Sequence, residues 1–363
     1  MMLNNTHKAF LELVRAGLWE DECRLSQFGD LDFYDIYRYA EEQSVVGLVA
    51  AGLEHLSDVK ITQEVALTFA GTTLQLEQRN KDMNLFISKL IGKMREAGIY
   101  ALLVKGQGVA QCYERPLWRA SGDIDLLLDD VNYEKAKILL FSISNEIQNE
   151  DKNKKHQALK LMGVDVELHG NMPFLISKRV DKGIDAVLKD IFCCGNIRSW
   201  NCNGTQVFLP SPDNDVILVF THFLHHFFIE GVGLRQICDW CRLLWLYRNE
   251  LDYCLLGKRI KQMGLLSEWQ VFASLAVEYL GVPKEAMPLY NPNYKIKGDK
   301  VLKRVLKDGN FGHNKDLSYK MRYEGFYYKI VSLIRRLSGF MGLIKVFPRD
   351  SPFFFLTYII GKV

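Results

Sequence analysis

Two aspartates separated by one residue mark the most informative segment of this sequence, LLVKGQGVAQCYERPLWRASGDIDLLL at residues 102–128. Asp123 and Asp125 stand at the start of an apolar stretch, residues 124–128, that is typical of a β-strand. Because side chains alternate along a strand, both carboxylates leave the same face of the sheet. Two carboxylates on one face suit a pair of Mg²⁺ ions, which prefer oxygen ligands and accept bridging carboxylates. The same spacing in isolation is also common on solvated acidic rims.

A site for an anion is predicted upstream of these aspartates. Lys105 and Gly106 close an apolar, β-prone run at 99–104 and precede a predicted short helix. Backbone N–H groups at the start of a helix favour an anion, Lys105 adds a full positive charge, and Gly106 lets the backbone approach a phosphate closely. Arg119, four residues before Asp123, is expected to supply a second phosphate contact.

A third acidic group is predicted on the strand at residues 164–169, where apolar and polar residues alternate strictly. Asp165, Glu167 and His169 share one face of this strand. Geometry from the sequence does not choose between Asp165 and Glu167 as the carboxylate that reaches the metal pair. His169 is expected either to support a metal ligand or to be an ordinary hydrogen-bonded sheet histidine. A phosphate site, a metal pair and a third carboxylate together indicate in-line transfer from a nucleoside triphosphate.

The elements that must position these groups predict an α+β protein in three parts: an N-terminal helical region at 1–97, a small mixed-sheet core at 98–210 and a C-terminal helical region with a basic tail at 211–363. Gly98 stands where a glycine ends a helix over 72–97, and Ser211 with Pro212 is typical of a helix start. The core is predicted to contain strands at 99–104, 124–128, 158–161 and 164–169 and helices at 107–113 and 132–143.

Composition restricts the class of protein. The chain has 363 residues, of which 48% are hydrophobic and 25% charged, and these values exclude a largely disordered, collagenous or polytopic membrane protein. No apolar run approaches the roughly 20 residues of a membrane span. The first residues lack the apolar region and cleavage site of a secretory signal, and the eight cysteines form no repeated CxxC pair. We therefore expect a reduced, cytoplasmic protein without a membrane span.

The charge is distributed unevenly along the chain. Residues 294–349 contain 14 Lys and Arg against 4 Asp and Glu, although the net charge of the whole chain is only +3. Such a segment indicates either an anionic partner or a solvated basic face. The apolar run at 353–360 is expected to close a core, with contact to a membrane surface as the alternative.

Three histidines stand at helical spacing in the C-terminal region. His222, His225 and His226 fall at positions i, i+3 and i+4, which is a spacing that can bind zinc. No glutamate lies between them to act as the base of a metalloprotease. We therefore favour a helix packed along the nucleotide cleft, or hydrogen-bonded core histidines.

The pattern KG-x₃-A-x₂-Y-x₅-R-x₃-DIDLLL, followed by the ELH of the later strand, resembles the polymerase-β-like nucleotidyltransferase superfamily. More closely, the sequence resembles the family of uncharacterised nucleotidyltransferases that is frequent in bacteria. The segment YRYAEEQSVVGLVAAGLEHL and the later H-x₂-HH and LRQICDWCRLL also resemble that family, so the resemblance covers about residues 30–250.

The resemblance implies a role for each residue of the motif. Asp123 and Asp125 would bind both metals, and Glu167, directly before Leu168 and His169, would be the third carboxylate. Lys105 and Gly106 would hold the triphosphate. The wider superfamily has Gly-Gly or Gly-Ser where this chain has Gly106 and Gln107, so the contact to the β- and γ-phosphates is expected from backbone amides, Gln107 or Lys105.

The implied activity is Mg²⁺-dependent transfer of a nucleoside monophosphate from a nucleoside triphosphate to an acceptor hydroxyl, with two Mg²⁺ ions and release of pyrophosphate. The acceptor, whether a small molecule, a protein or RNA, is not identified by the sequence. Two alternatives are a catalytically degenerate nucleotide-binding or scaffold module and a toxin-like tRNA-modifying nucleotidyltransferase that holds tRNA with the basic segment.

Overall fold

The computed structural model describes residues 3–152, 155–172 and 176–312, together with Asn314, Ile344, Val346 and Phe347. Most of the basic segment and the whole apolar run at 353–360 lie outside the described residues. The helices are α1 (Asn5–Trp19), α2 (Phe33–Glu42), α3 (Val46–Glu54), α4 (Gln63–Glu96), α5 (Gly106–Ala110), α6 (Asp130–Phe141), α7 (Lys178–Cys194), α8 (Pro212–Ile229), α9 (Leu234–Leu246), α10 (Tyr253–Met263), α11 (Leu266–Leu280) and α12 (Lys295–Asp308). The strands are β1 (Leu102–Val104), β2 (Ile124–Leu127), β3 (Glu146–Ile147), β4 (His156–Leu161), β5 (Val164–His169), β6 (Ile197–Cys202) and β7 (Thr205–Pro210).

The seven strands form one mixed sheet in the order β3-β4-β5-β2-β1-β7-β6. β2 runs parallel to β5 and β1 runs parallel to β7, whereas the remaining neighbours are antiparallel. The expected α+β class with a mixed sheet is therefore confirmed. The sequence interpretation missed α7, β3 and the hairpin of β6 and β7. β6 buries only its last residue fully, so it lacks the apolar alternation that would have revealed it.

Helix α4 covers the apolar face of the sheet. It begins after Thr62, whose hydroxyl caps the backbone N–H of Val65, and ends at Glu96. Ala97 is the cap residue, and Gly98 after it has the expected positive φ of +67°. The second half of α4 and helix α6 join the inward residues of β2, Ile124 and Leu126, in one buried cluster. Because side chains alternate, this packing leaves the opposite face of β2 for Asp125.

The helices before and after the sheet pack against each other. Phe10 and Leu13 of α1 belong to the same buried cluster as Phe220 of α8, Trp240 of α9 and Trp269 of α11. The cluster also includes Leu102, Val104 and Leu127 from the sheet. Helices α8 and α9 thereby reach the side of the sheet on which the acidic residues stand. In the described part of the chain, we find no helix that is long and apolar enough to cross a bilayer.

Candidate active site

The sheet brings three carboxylates together. Asp123 directly precedes β2, Asp125 is the second residue of β2, and Glu167 lies on β5. In the parallel register of β2 and β5, Asp125 is paired with Glu167, so both side chains rise from the same face at the same level. One oxygen from each of Asp123, Asp125 and Glu167 lies within 4.8 Å of the others. This cluster provides the oxygen ligands that a hard divalent cation prefers.

Lys105 stands at the end of β1, beside these carboxylates. Val104 is paired with Asp125 in the β1–β2 register, and Lys105 Nζ donates to Asp125 Oδ1 at 2.7 Å. The backbone turns sharply into α5 here, with φ of 59° at Lys105 and 44° at Gly106. A Cβ on residue 106 would lie 3.6 Å from the carbonyl oxygen of Asp123, so the glycine is required by its backbone conformation rather than by lack of space.

The electrostatic environment keeps Asp125 ionised although its side chain is only 3% exposed. Burial opposes ionisation, but the charge of Lys105 and a hydrogen bond from His169 Nε2 at 2.8 Å lower the pKa of Asp125 below its ordinary value. Both partners contact Oδ1, and Oδ2 takes part in neither bond. The negative charge of Asp125, followed by loss of solvent, raises the pKa of Asp123. Two adjacent carboxylates that repel each other in this way favour a bound cation.

Glu167 is flanked by two histidines. His156 Nε2 lies 3.1 Å and His169 Nε2 lies 3.5 Å from Glu167 Oε2. Burial opposes ionisation of Glu167, but the hydrogen bond from His156 and the charges of His169 and Lys105 together offset it and lower the pKa. Asp165, the other candidate for the third carboxylate, is exposed, and its Oδ1 lies 3.6 Å from Lys160 Nζ. It does not belong to the group of carboxylates around Asp125.

Gln107 is held by a residue that the sequence interpretation missed. Asn80 of α4 accepts from Gln107 Nε2 at 3.0 Å and from Ser121 Oγ at 2.6 Å through the same oxygen. Its amide nitrogen donates to the carbonyls of Leu117 and Arg119 at 2.7 and 2.8 Å. Asn80 therefore ties α5 to the loop that leads into Asp123. It lies 27 residues before Gln107 on another element, so no local pattern indicated the contact.

Arg119 is placed in a buried ion pair. Its Nε and Nη2 donate to the two carboxylate oxygens of Asp239 on α9 at 2.8 and 2.7 Å, and Nη1 donates to the carbonyl of Ala120 at 3.1 Å. Tyr113 also donates to Asp239, at 2.7 Å. The bidentate bond directs the Arg119 guanidinium towards α9. The phosphate contact expected of Arg119 stays a prediction.

Helix α8 lies beside the carboxylate group. Lys105 Nζ is 3.1 Å from His222 Nε2, and His226 Nε2 lies 3.1 Å from the same His222 atom. Burial, followed by the charge of Lys105, lowers the pKa of His222 well below its ordinary value, so this ring is neutral and accepts from Lys105. Two groups in the described residues bring three potential ligand atoms together, and neither includes a histidine of α8. This arrangement agrees with a helix packed along the cleft.

A second basic residue near the carboxylates, Arg235 of α9, was not singled out from the sequence. Its Nη1 donates to the carbonyl of Ala120 at 2.9 Å, and its Nε is buried with no hydrogen-bond partner among the described residues. Burial, and then the charge of Arg119, lowers the pKa of Arg235, while Asp239 and Asp123 act in the opposite direction. Arg235 belongs to the LRQICDW segment, so the resemblance pointed to the segment but not to the residue.

Comparison with known proteins gives one result. The model of a family described as uncharacterised nucleotidyltransferase matches residues 24–281. This range includes every strand of the sheet and begins after the end of α1. No curated protein and no solved structure matches the chain.

Proposed function

The chain belongs to the family of uncharacterised nucleotidyltransferases, and we propose that it transfers a nucleoside monophosphate from a nucleoside triphosphate to an acceptor hydroxyl, with release of pyrophosphate. The observation that carries this proposal is the convergence of Asp123, Asp125 and Glu167 within 4.8 Å on one face of the sheet. Lys105 at the edge of the same group provides the charge that a triphosphate requires.

The residues present fit a bound divalent cation. The three carboxylates offer oxygen ligands only, and Oδ2 of Asp125 is not used in the bonds to Lys105 and His169. In the proposal, Asp123, Asp125 and Glu167 hold two Mg²⁺ ions. When bound, such ions neutralise the triphosphate and make the attacking hydroxyl more acidic.

The phosphates are proposed to lie against Lys105 and the start of α5. The first N–H groups of a helix have no partner within the helix, and the backbone turns sharply into α5 at Lys105 and Gly106. Because Gln107 is bonded to Asn80, backbone amides and Lys105 are favoured over the Gln107 side chain for the contact to the β- and γ-phosphates. Arg119, in this proposal, contributes through the loop before Asp123, which its bond to Asp239 holds in place.

Glu167 is proposed to have a second role in proton transfer. Burial raises the pKa of Glu167, but the hydrogen bond from His156 and the charges of His169 and Lys105 together lower it by more, so the carboxylate is ionised near neutral pH. An ionised carboxylate close to the reacting groups is able to accept the proton of the attacking hydroxyl. In this scheme, the core at 98–210 supplies the groups for metal and triphosphate, and the helical regions at 1–97 and 211–363 shape the acceptor pocket.

The test uses the full-length protein with each nucleoside triphosphate, labelled in turn at the α- and the γ-phosphate, in cell extract with Mg²⁺. We expect transfer of the α-label to one acceptor and release of the γ-label as pyrophosphate. Chromatography and gel analysis then assign the acceptor as a small molecule, protein or RNA. The matched control is the variant in which Asp123 and Asp125 are both replaced by Asn, which should transfer no label.

Two results would count against the proposal. Transfer of the γ-label instead of the α-label would identify a phosphoryl transferase. Tight binding of a triphosphate with no transfer in any extract would favour the catalytically degenerate nucleotide-binding module.

A further inference from the structure

The carboxylate group continues onto strand β4 through two histidines. In the antiparallel register of β4 and β5, His156 is directly opposite His169, and Ala158 is opposite Glu167. The side chains of His156, His169 and Glu167 therefore rise from the face that carries Asp125. One nitrogen from each histidine and one oxygen from Glu167 lie within 4.8 Å of one another.

We propose that His156, His169 and Glu167 form a further metal position, beside the all-oxygen group, that takes a transition-metal ion such as Mn²⁺ or Zn²⁺ in preference to Mg²⁺. Two imidazoles and one carboxylate are ligands that suit these ions, whereas Mg²⁺ prefers oxygen and water. The position shares Glu167 with the all-oxygen group of Asp123 and Asp125. Three protein ligands leave coordination positions open for water or for a ligand oxygen.

The hydrogen bonds at the two histidines give the competing interpretation. His169 Nε2 lies 2.8 Å from Asp125 Oδ1, and His156 Nε2 lies 3.1 Å from Glu167 Oε2, as expected for histidines that only support carboxylate ligands. A nitrogen that donates a proton to a carboxylate is not at the same time a metal ligand. Direct coordination and hydrogen-bonded support are therefore alternatives that a spectroscopic measurement separates.

Two further observations favour direct coordination. The His156 and His169 rings are neighbours, tilted by 34° at a centroid distance of 4.9 Å, and one nitrogen of each lies within 4.8 Å of the other. Both side chains are partly exposed, at 31% and 12%, so an ion can reach them. The inference rests on this geometry and does not require that the protein transfers nucleotides.

The experiment measures Mn²⁺ bound to the full-length protein without nucleotide. Electron spin-echo envelope modulation detects nitrogen atoms that coordinate Mn²⁺ directly, and replacement of all histidine nitrogen by ¹⁵N identifies the nitrogen as histidine. The variants are His156→Gln and His169→Gln. Asp165→Asn is the control on the same strand face, and His55→Gln removes a histidine from another histidine–glutamate pair, with Glu20.

We expect two coordinated nitrogens in the wild type, one in each histidine variant and both in each control. The affinity for Mn²⁺ alone would not distinguish direct coordination from hydrogen-bonded support, because loss of a supporting hydrogen bond also weakens metal binding by about 10–100-fold. Absence of coordinated nitrogen in the wild type at saturating Mn²⁺ would overturn the inference, as would an unchanged nitrogen signal in either histidine variant. If a variant fails to fold, the ¹⁵N-histidine wild type still decides between the two interpretations. A coordinated nitrogen in a protein that transfers no nucleotide would refute the proposed function alone.

Discussion

The buried pair of Arg119 and Asp239 offers a test of whether Arg119 acts mainly through the fold. Both side chains are almost fully buried, at 5% and 7% exposed, and the two parallel bonds measure 2.8 and 2.7 Å. Asp239→Asn keeps the shape but leaves the guanidinium without its counter-charge. The amide nitrogen of Asn would face a donor of Arg119, and Tyr113 would lose a charged acceptor.

The magnitude follows from the burial of the pair. Breaking a buried ion pair by removing one partner costs about 3–5 kcal/mol, because an uncompensated charge remains in the interior. The unfolding entropy is about 2.1 cal/mol/K per residue, so for a chain of this length the loss corresponds to a fall of about 4–7 °C in Tm. Replacing both partners by apolar residues, in Arg119→Met with Asp239→Leu, should recover most of this loss.

The assay is thermal unfolding followed by circular dichroism, with Asp35→Asn as the matched control. Asp35 pairs with Arg38 at 2.7 Å, but these side chains are 45% and 51% exposed. An exposed pair contributes about 0–1 kcal/mol, so the control should lose no more than about 1 °C. If Asp239→Asn lost no more than this control while its triphosphate affinity fell sharply, Arg119 would act as a phosphate contact and our interpretation would be wrong.

Further perturbations address the carboxylates, Lys105 and one buried aspartate. Glu167→Gln should reduce turnover by on the order of 100-fold with a much smaller change in nucleotide affinity, whereas Asp165→Asn should keep most of the turnover; the reverse result would exchange their roles. Lys105→Ala should weaken triphosphate affinity by about 1.5–3 kcal/mol in calorimetry, and an unchanged Kd in a folded variant would contradict its assignment. Chelation by EDTA should abolish triphosphate binding, because Asp123 and its neighbours repel a bare triphosphate; tight metal-free binding would move the site elsewhere. Burial, despite the bond from Arg198, raises the pKa of Asp215 to about 6 from an ordinary value of 3.8. The stability that this protonated group contributes at low pH is therefore lost as the pH rises from about 4 to about 6, by up to about 3 kcal/mol. The Tm of Asp215→Asn should therefore fall less than the Tm of the wild type between pH 4 and pH 6. Parallel curves of Tm against pH for the two proteins would refute the prediction.

The sequence alone was sufficient to predict which acidic residues share one face of the sheet. Alternation along a strand is a local steric property of the backbone, so the shared face of Asp123 and Asp125, and of Asp165, Glu167 and His169, followed from spacing. The structure confirms that alternation in the burial of β5. The hairpin at residues 162 and 163 and the end of α4 at Gly98 were likewise set by local turn and cap chemistry.

Only the tertiary structure distinguished Glu167 from Asp165 by position. Both point the same way, but the parallel register of β2 and β5 pairs Glu167 with Asp125, while Asp165 lies beside Lys160 of β4. His156 also entered the site through register, since it begins β4 two residues before the strand predicted from the sequence. Register depends on how whole strands bury their apolar faces, which spacing within one strand does not contain.

The hydrogen-bond partners of Arg119 and Gln107 lie on elements that are distant in the sequence. Arg119 meets Asp239 across 120 residues, and Gln107 meets Asn80 on α4. From the sequence, a buried arginine and an exposed phosphate-binding arginine four residues before Asp123 are indistinguishable. The choice between them depends on which distant side chain satisfies the charge once the helices have packed, because a buried charge is tolerated only when it is paired. The sequence therefore determined which chemistry the central segment is able to support, and the packing of α4, α8 and α9 against the sheet decided which side chains remain directed at it.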